Sequence, residues 1–359
     1  MITLYVTSTT PYAGKSALVV GLAKRFKKDG YTCGYMRPLT TSKTRIGECV
    51  VDEEANSMCQ SLGLTNNVES IWPVCLDPMT VEGILRGEEQ DYEKHIKDSF
   101  GRIAKDKDIV LLEGGSRCAQ GALIGLSCDK IAEIFDAKAL VVAKHDVPSV
   151  LMVDDLLADK QRLGNRMIGA VLNAVDRSKL GFVQEIVVPF LERKGIPVLA
   201  VLPLDRIFAS VSVAELAQAL HGEIIVRPDL GSVLVENLMI GAMSVDSALT
   251  YMRRKLNTAL ITGGDRSDIL LAALETSTRC LILTGNLQPS AFILTRAEEA
   301  SVPIILCRHD TMTAVQLAEQ AMGQTRFHQE KKIARFEHML EEHFAFDRLY
   351  DELGLKQKV

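Results

Sequence analysis

The sequence predicts an α/β protein with a mainly parallel sheet and helices on both faces. Three observations lead there. Short apolar runs of strand length alternate with longer helix-like segments throughout the chain, the pattern of repeated βαβ units. The first run, Ile2 to Val6, passes into a loop of small residues and then into Gly14-Lys15-Ser16 at a helix start. At 359 residues the chain also exceeds what one hydrophobic core usually serves, so two domains are expected.

Taken in order, Ile2 to Val6 is expected as a strand, Lys15 to Asp29 as a helix stopping at Gly30, and Cys33 to Met36 as a second strand. Helices are expected over Asp52 to Leu62 and Asp91 to Lys105. Asp108 to Leu112 is apolar in the way of a strand inside a parallel sheet. Ala139 to Ala143, Met167 to Leu172 and Pro197 to Val201 continue the series. A second series of strands is expected over Glu223 to Val226, Thr258 to Ile261, Cys280 to Leu283 and Pro303 to Leu306. Helices over Ser232 to Met243, Ser267 to Thr276 and Pro289 to Ala300 alternate with them. Val201 to Arg206 ends the first series and is the expected hinge, dividing the chain into 1–210, 211–320 and a terminal segment 321–359. That last segment is charged and carries Phe336, Phe344, Phe346 and Tyr350, which suits an amphipathic helix covering a core or making a subunit contact.

The net charge of −5 argues against nucleic acid as a partner, because a basic surface normally supplies that affinity. The cysteines at Cys33, Cys49, Cys59, Cys75, Cys118, Cys128, Cys280 and Cys307 form no Cys-x-x-Cys pair and no zinc spacing. They are expected to be reduced, mostly buried thiols of a cytoplasmic protein. Met1 to Val6 has no basic leader and reads as a first strand, not a signal peptide. No apolar run reaches the ~20 residues of a membrane span, so no membrane partner is expected.

The sharpest motif is Val6-Thr7-Ser8-Thr9-Thr10-Pro11-Tyr12-Ala13-Gly14-Lys15-Ser16. In such a strand–loop–helix the backbone N–H groups converge on phosphate oxygens, and the helix dipole favours their charge. Ser8, Thr9, Thr10, Ala13, Gly14, Lys15, Ser16 and Ala17 are therefore expected around a nucleotide, with Thr9 at the first glycine position of G-x-x-x-x-G-K-[ST]. Lys15 brings an ammonium to the β/γ-phosphates, and the Ser16 hydroxyl can join a Mg²⁺ shell. Glu113 ends an apolar strand at the edge where open α/β sheets bind ligands, and is the expected second metal ligand. Gly114 lets a ligand approach the backbone closely. Arg37, after the second strand, can grip a phosphate or carboxylate. Glu54, in the acidic helix start Asp52-Glu53-Glu54, is the third metal candidate.

These residues carry a resemblance. Over its first ~210 residues the chain resembles dethiobiotin synthetase-like P-loop proteins, and most of all the N-terminal domain of long bacterial phosphate acetyltransferases. The likeness rests on Thr7-Ser8, Gly14-Lys15-Ser16, Gly34-Tyr35-Met36-Arg37-Pro38, Asp52-Glu53-Glu54-Ala55, Leu112-Glu113-Gly114-Gly115 and Gly169-Ala170-Val171-Leu172-Asn173. It implies that Lys15 and Arg37 bind phosphate, that Glu54 and Glu113 hold magnesium, and that Asn173 touches adenine. It also implies that Ser8 stands where the family has glycine. Arg37 stands where the synthetases have lysine, and an arginine clamps charge without accepting a proton. The second half resembles the DRTGG domain of the same acetyltransferases, through Ile261-Thr262-Gly263-Gly264-Asp265-Arg266-Ser267-Asp268-Ile269. Physically this is a strand, a glycine turn and a helix expected to be capped by Ser267 or Asp268. Thr262, Gly263, Gly264, Asp265, Arg266 and, on the neighbouring strand end, Thr284 are its ligand candidates.

The function expected from these features is ATP/Mg-binding with a regulatory or sensory role, the second module taking a small molecule or protein partner. An ATP-dependent carboxylate-amine ligase is one alternative, with Ile71-Trp72-Pro73-Val74 lining an acceptor pocket. A non-hydrolysing interaction subunit is the other. Acetyl transfer is not expected, slow ATP hydrolysis is open, and a homodimer is expected by analogy with the relatives.

Overall fold

The computed structural model describes residues 1–41, 44–46, 49–51, 53–64, 71–145, 149–323, 327 and 329–356, with backbone alone at 44–46, 49–51, 53, 54, 56 and 323. The chain divides into two compact units, Met1–Leu204 with Phe327–Val359, and Asp205–Arg326.

Among the described residues the main sheet of the first unit has six strands: β1 (Ile2–Ser8), β2 (Cys33–Met36), β3 (Ile109–Glu113), β4 (Lys138–Lys144), β5 (Met167–Val175) and β6 (Val198–Pro203). Their order is β6-β5-β4-β1-β3-β2, and every pairing is parallel. β1 sits between β3 and β4, so the chain leaves it in one direction and later crosses it to the other side. That makes the carboxyl ends of β1 and β3 the switch point, where doubly wound sheets open a crevice. Leu4, Val6, Ile109, Val110, Leu111, Leu112, Leu140 and Val141 have no exposed surface, as continuous apolar runs in a sheet covered on both sides require.

Helix α1 (Lys15–Lys28) follows β1 and buries Leu18, Val19, Val20, Leu22 and Phe26. Next come α2 (Glu53–Leu62), α3 (Tyr92–Ala104), α4 (Cys128–Ile134) and α5 (Ser149–Leu163). α3 is capped by Asp91, whose carboxylate accepts from the Lys94 N–H. The expected single terminal helix is two, Glu330–His343 and Phe346–Leu353, and both belong to the first unit. Glu330–His343 lies along α1: Lys24 pairs with Glu337 at 2.9 Å and Lys28 with Glu341 at 3.1 Å. A Cβ on Gly21 would come within 2.3 Å of Leu340.

The sheet of the second unit comprises β7 (Glu223–Val226), β8 (Asn237–Ile240), β9 (Thr258–Gly263), β10 (Thr278–Thr284) and β11 (Ile304–Leu306), in the order β7-β11-β10-β9-β8. Only the edge strand β7 runs antiparallel.

Three further expectations differ from the structure. The segment Ser232 to Met243 is not a helix: Leu234–Val235 and β8 are strands, and β8 pairs in parallel with β9 from Asn237↔Thr258 to Ile240↔Ile261. The helix comes later, over Val245–Met252. The cysteines are not all free thiols, because Cys118 and Cys128 are joined in a disulfide with Cα atoms 4.9 Å apart. The chain between them turns back so that the Cys128 N–H donates to the Cys118 carbonyl at 2.9 Å. Finally, neither Ser267 nor Asp268 caps the Ser267–Leu274 helix; Arg266 takes that position, with no side-chain hydrogen bond to the first turn.

Among the described residues no helix is long and apolar enough to cross a membrane.

Candidate phosphate-binding site

β1 ends in a loop whose form is set by two residues of positive φ, Tyr12 at 53° and Gly14 at 101°. Gly14 has a second constraint: a Cβ there would lie 2.3 Å from Asn173 Nδ2. That amide, at the end of β5, donates to the Ala13 carbonyl at 2.8 Å. The Thr9 N–H donates to the Val142 carbonyl on β4, the strand beside β1, at 3.1 Å. The loop is thus tied down from beneath by β4 and β5. α1 then begins at Gly14 with no side-chain cap and no acidic residue in its first turn. No side chain caps this 14-residue helix, and a helix start of that kind suits an incoming anion.

Inside the loop Lys15 Nζ donates to Ser8 Oγ at 3.1 Å. Ser8 Oγ in turn lies 2.9 Å from the Thr10 carbonyl and 3.2 Å from that of Ser116, to which it donates. Where a glycine would leave open space, a hydroxyl parks the lysine across the loop. The Thr7 and Thr10 hydroxyls are buried without hydrogen-bond partners among the described residues.

Ser16 and Glu113, 97 residues apart in sequence, meet here: Ser16 Oγ donates to Glu113 Oε1 at 2.7 Å. The other carboxylate oxygen accepts from the Tyr35 hydroxyl at 2.7 Å. Glu113 is 1% exposed, and among the described residues its donors are these two hydroxyls rather than a lysine or arginine. Burial first, and the adjacent carboxylate second, push the Tyr35 phenol well above its ordinary pKa, so it remains a donor. A buried carboxylate served by hydroxyls, next to the hydroxyl that opens α1, fits a hard divalent cation sharing its shell with phosphate oxygens. Among the described residues no group of three His, Cys, Asp or Glu forms a metal cage.

Gly114 continues β3, its N–H donating to the Val6 carbonyl at 2.8 Å; a Cβ there would lie 2.8 Å from the Tyr5 hydroxyl and 3.1 Å from Thr7 Cβ. Behind it, Gln120 Oε1 accepts from the Ser116 N–H at 2.7 Å and folds the 115–120 turn. Arg37 follows β2, and its N–H donates to the Ile71 carbonyl at 2.7 Å, which ties it to the segment carrying Trp72. Ala17 is buried in the first turn of α1. The Glu54 side chain, like Asp52, lies outside the described residues. The structure therefore joins Ser8 with Lys15, Ser16 with Glu113, and Asn173 with the loop. Sequence reading missed Tyr35, although it lies in the quoted Gly34-Tyr35 motif, because the hydroxyl's partner is on another strand.

In the second unit the candidates gather at the carboxyl ends of β9 and β10, with Gly263 opposite Thr284. The Thr262 hydroxyl faces the Gly241 carbonyl at 3.4 Å, and the Thr284 hydroxyl faces that of Thr311 at 2.9 Å. Gly264 allows close packing of two turns, since a Cβ there would lie 1.8 Å from the Leu287 carbonyl oxygen. Asp265 is exposed, and Arg266 donates to the Met243 carbonyl at 3.2 Å.

A parallel sheet with β1 at its switch point, a Gly-Lys-Ser loop and a strand-end glutamate define a P-loop NTPase-like protein, here with a second α/β unit attached. The chain belongs to the AAA domain family, which matches residues 2–210, and the DRTGG domain matches residues 215–321. It is 24% identical to a phosphate acetyltransferase of Nitratidesulfovibrio vulgaris over 98% of this chain and 51% of that protein. It therefore spans about half the length of such acetyltransferases and corresponds to their N-terminal region. An ATP-dependent dethiobiotin synthetase of Methanococcus vannielii is 23% identical over 51% of this chain and 84% of the synthetase. Among solved structures, the CBS and DRTGG domains of the regulatory region of Clostridium perfringens pyrophosphatase, complexed with the activator diadenosine tetraphosphate, are similar at 22% identity. That match has a TM-score of 0.27 and covers 43% of this chain and 73% of the other.

Proposed function

We propose that the first unit binds ATP or another nucleoside triphosphate with Mg²⁺, and that the second unit takes a further small molecule or a protein partner, so that the protein works as a nucleotide-responsive regulator. The observation that carries the reading is the meeting of an uncapped helix start, Lys15, and the Ser16–Glu113 pair at the carboxyl edge of one parallel sheet. On binding, Lys15 leaves Ser8 for the β/γ-phosphates, while the loop N–H groups and the helix dipole hold the remaining oxygens. Ser16 and Glu113, with Glu54 as a further candidate, hold the cation, which supplies charge neutralisation on the phosphates. Asn173 braces the loop, and its amide edge is offered to the base. Arg37 grips a phosphate or an acidic co-ligand. In the second unit Thr262, Gly263, Gly264, Asp265, Arg266 and Thr284 form the proposed ligand edge. A homodimer in the cytoplasm is the setting we infer.

Isothermal titration with Mg-ATP tests the proposal: wild type is expected to bind, and Lys15→Ala to lose at least about tenfold in affinity, a charge-assisted phosphate contact being worth roughly 1.5–3 kcal/mol. Equal heats from both proteins would remove the nucleotide site. One observation favours ligase chemistry as the second reading: the Trp72 indole N–H is buried with no partner among the described residues, beside the segment tied to Arg37. ADP release that requires an added amine-bearing carboxylic acid would decide for it.

A further inference from the structure

We propose that Tyr35 is the positioning residue of the cation site, its hydroxyl holding the Glu113 carboxylate in the orientation that faces a divalent ion beside Ser16. The inference rests on the phosphate-site reading above and deepens it.

Backbone register creates the contact. β2 and β3 run parallel with Tyr35 opposite Leu111, and side chains two apart on a strand share a face. Tyr35 therefore projects on the side of the sheet that also carries Glu113, two residues beyond Leu111 on β3, and its hydroxyl reaches Oε2 at 2.7 Å. The ring is completely buried. A phenylalanine would fill the same space, so the hydroxyl's distinct contribution is the bond to Glu113. The kind of donor matters as well. An arginine or lysine in this place would bring a positive charge of its own against the carboxylate, whereas a phenol fixes its orientation without adding one. Ser16 completes the pair from the other side: its proton goes to Oε1 while its oxygen lone pairs stay available to the ion. Removing a hydrogen-bond partner behind a metal ligand typically costs 10–100-fold in metal affinity.

The test uses the full chain and two variants, Tyr35→Phe and Glu113→Gln. Nucleotide affinity is measured by titration calorimetry in EDTA, and cation affinity of the nucleotide complex by Mn²⁺ titration with the free ion read by electron paramagnetic resonance. The expected result is that Y35F keeps nucleotide affinity in EDTA within about threefold, while its Mn²⁺ affinity falls about 10–100-fold. On the E113Q background the same Tyr35 change is expected to alter Mn²⁺ affinity less than threefold, because the carboxylate it orients is gone. Unchanged Mn²⁺ affinity in Y35F, or an equal loss persisting on E113Q, overturns the proposal. If Y35F alone does not fold, Y35F/E113Q is read instead. Recovery of folding there supports the coupling, and continued failure counts against it. If wild type binds no nucleotide with or without cation, the phosphate-site reading falls and this inference falls with it. Nucleotide binding that is intact but indifferent to cation in wild type overturns this inference alone.

Discussion

The pivot of the phosphate loop is Gly14, constrained twice over. Its φ of 101° lies where side-chain-bearing residues are strained, and its missing Cβ leaves room for Asn173. The two constraints act in one direction. Gly14→Ala must either push the amide off the Ala13 carbonyl or twist the loop, so we expect a loss of roughly 1–3 kcal/mol in stability by urea denaturation. Nucleotide affinity should fall with it. A variant with the wild-type urea midpoint would show that the loop relaxes freely and that Asn173 is no brace. The meeting of Ser16 with Glu113 was legible in sequence, because a helix start after the first strand and an acid ending an apolar strand both fall at the carboxyl edge of a parallel sheet. Tyr35 was not. A tyrosine in a strand reads as core, and only the register of β2 on β3 reveals the carboxylate within its reach.

Elements were legible where pattern and length agree, and misread where they do not. β3 and β4 are uninterrupted apolar runs that only a covered parallel strand explains. Ser232 to Met243 contains Val233, Leu234, Val235, Leu238, Met239 and Ile240, spaced well enough for a helical face. Pairing with β9 overrides that periodicity: β8 becomes the sheet edge, with Met239 buried and Ile240 exposed as alternation demands. The terminal segment is a different case. Its helix Glu330–His343 seals α1 of its own unit by seating Leu340 and Phe336 over Gly21. Gly21→Leu would place a branched side chain where Leu340 already lies, and overpacking of that kind costs about 1–3 kcal/mol. We expect a lowered melting temperature together with new proteolytic cleavage between residues 330 and 353. Unchanged cleavage would mean that the salt bridges Lys24–Glu337 and Lys28–Glu341 dock the helix without the close approach. Exposed pairs of this type are normally worth ~0–1 kcal/mol, so the packed face should decide.

At the scale of the whole molecule, one buried acid makes stability depend on pH. Asp159 on α5 is buried, and its Oδ2 has no hydrogen-bond partner among the described residues. Burial, reinforced by the Asp155 carboxylate one turn earlier and opposed in part by Arg162, raises its pKa to about 7 from 3.8. The folded chain therefore holds a proton that the unfolded chain releases near pH 4. Between pH 4 and 7 folding takes up this proton, so stability falls as pH rises across that window, and above pH 7 the loss is complete and constant. The ordinary acid-denaturation trend of paired carboxylates has the opposite sign, which gives the group a recognisable signature. Asp159→Asn keeps the shape and abolishes the titration. At pH 8 it should stabilise the first unit by on the order of 2–4 kcal/mol, each tenfold change in proton affinity being worth about 1.4 kcal/mol. At pH 4, where the native acid is already neutral, the two proteins should be nearly equal. Calorimetric scans at pH 4, 6 and 8 measure this as a gap in melting temperature that opens with pH, by roughly 2–4 °C for each kcal/mol in a unit of this size. A gap of the same size at all three pH values would mean that the substituted amide merely packs better and that the buried acid carries no proton into the folded state.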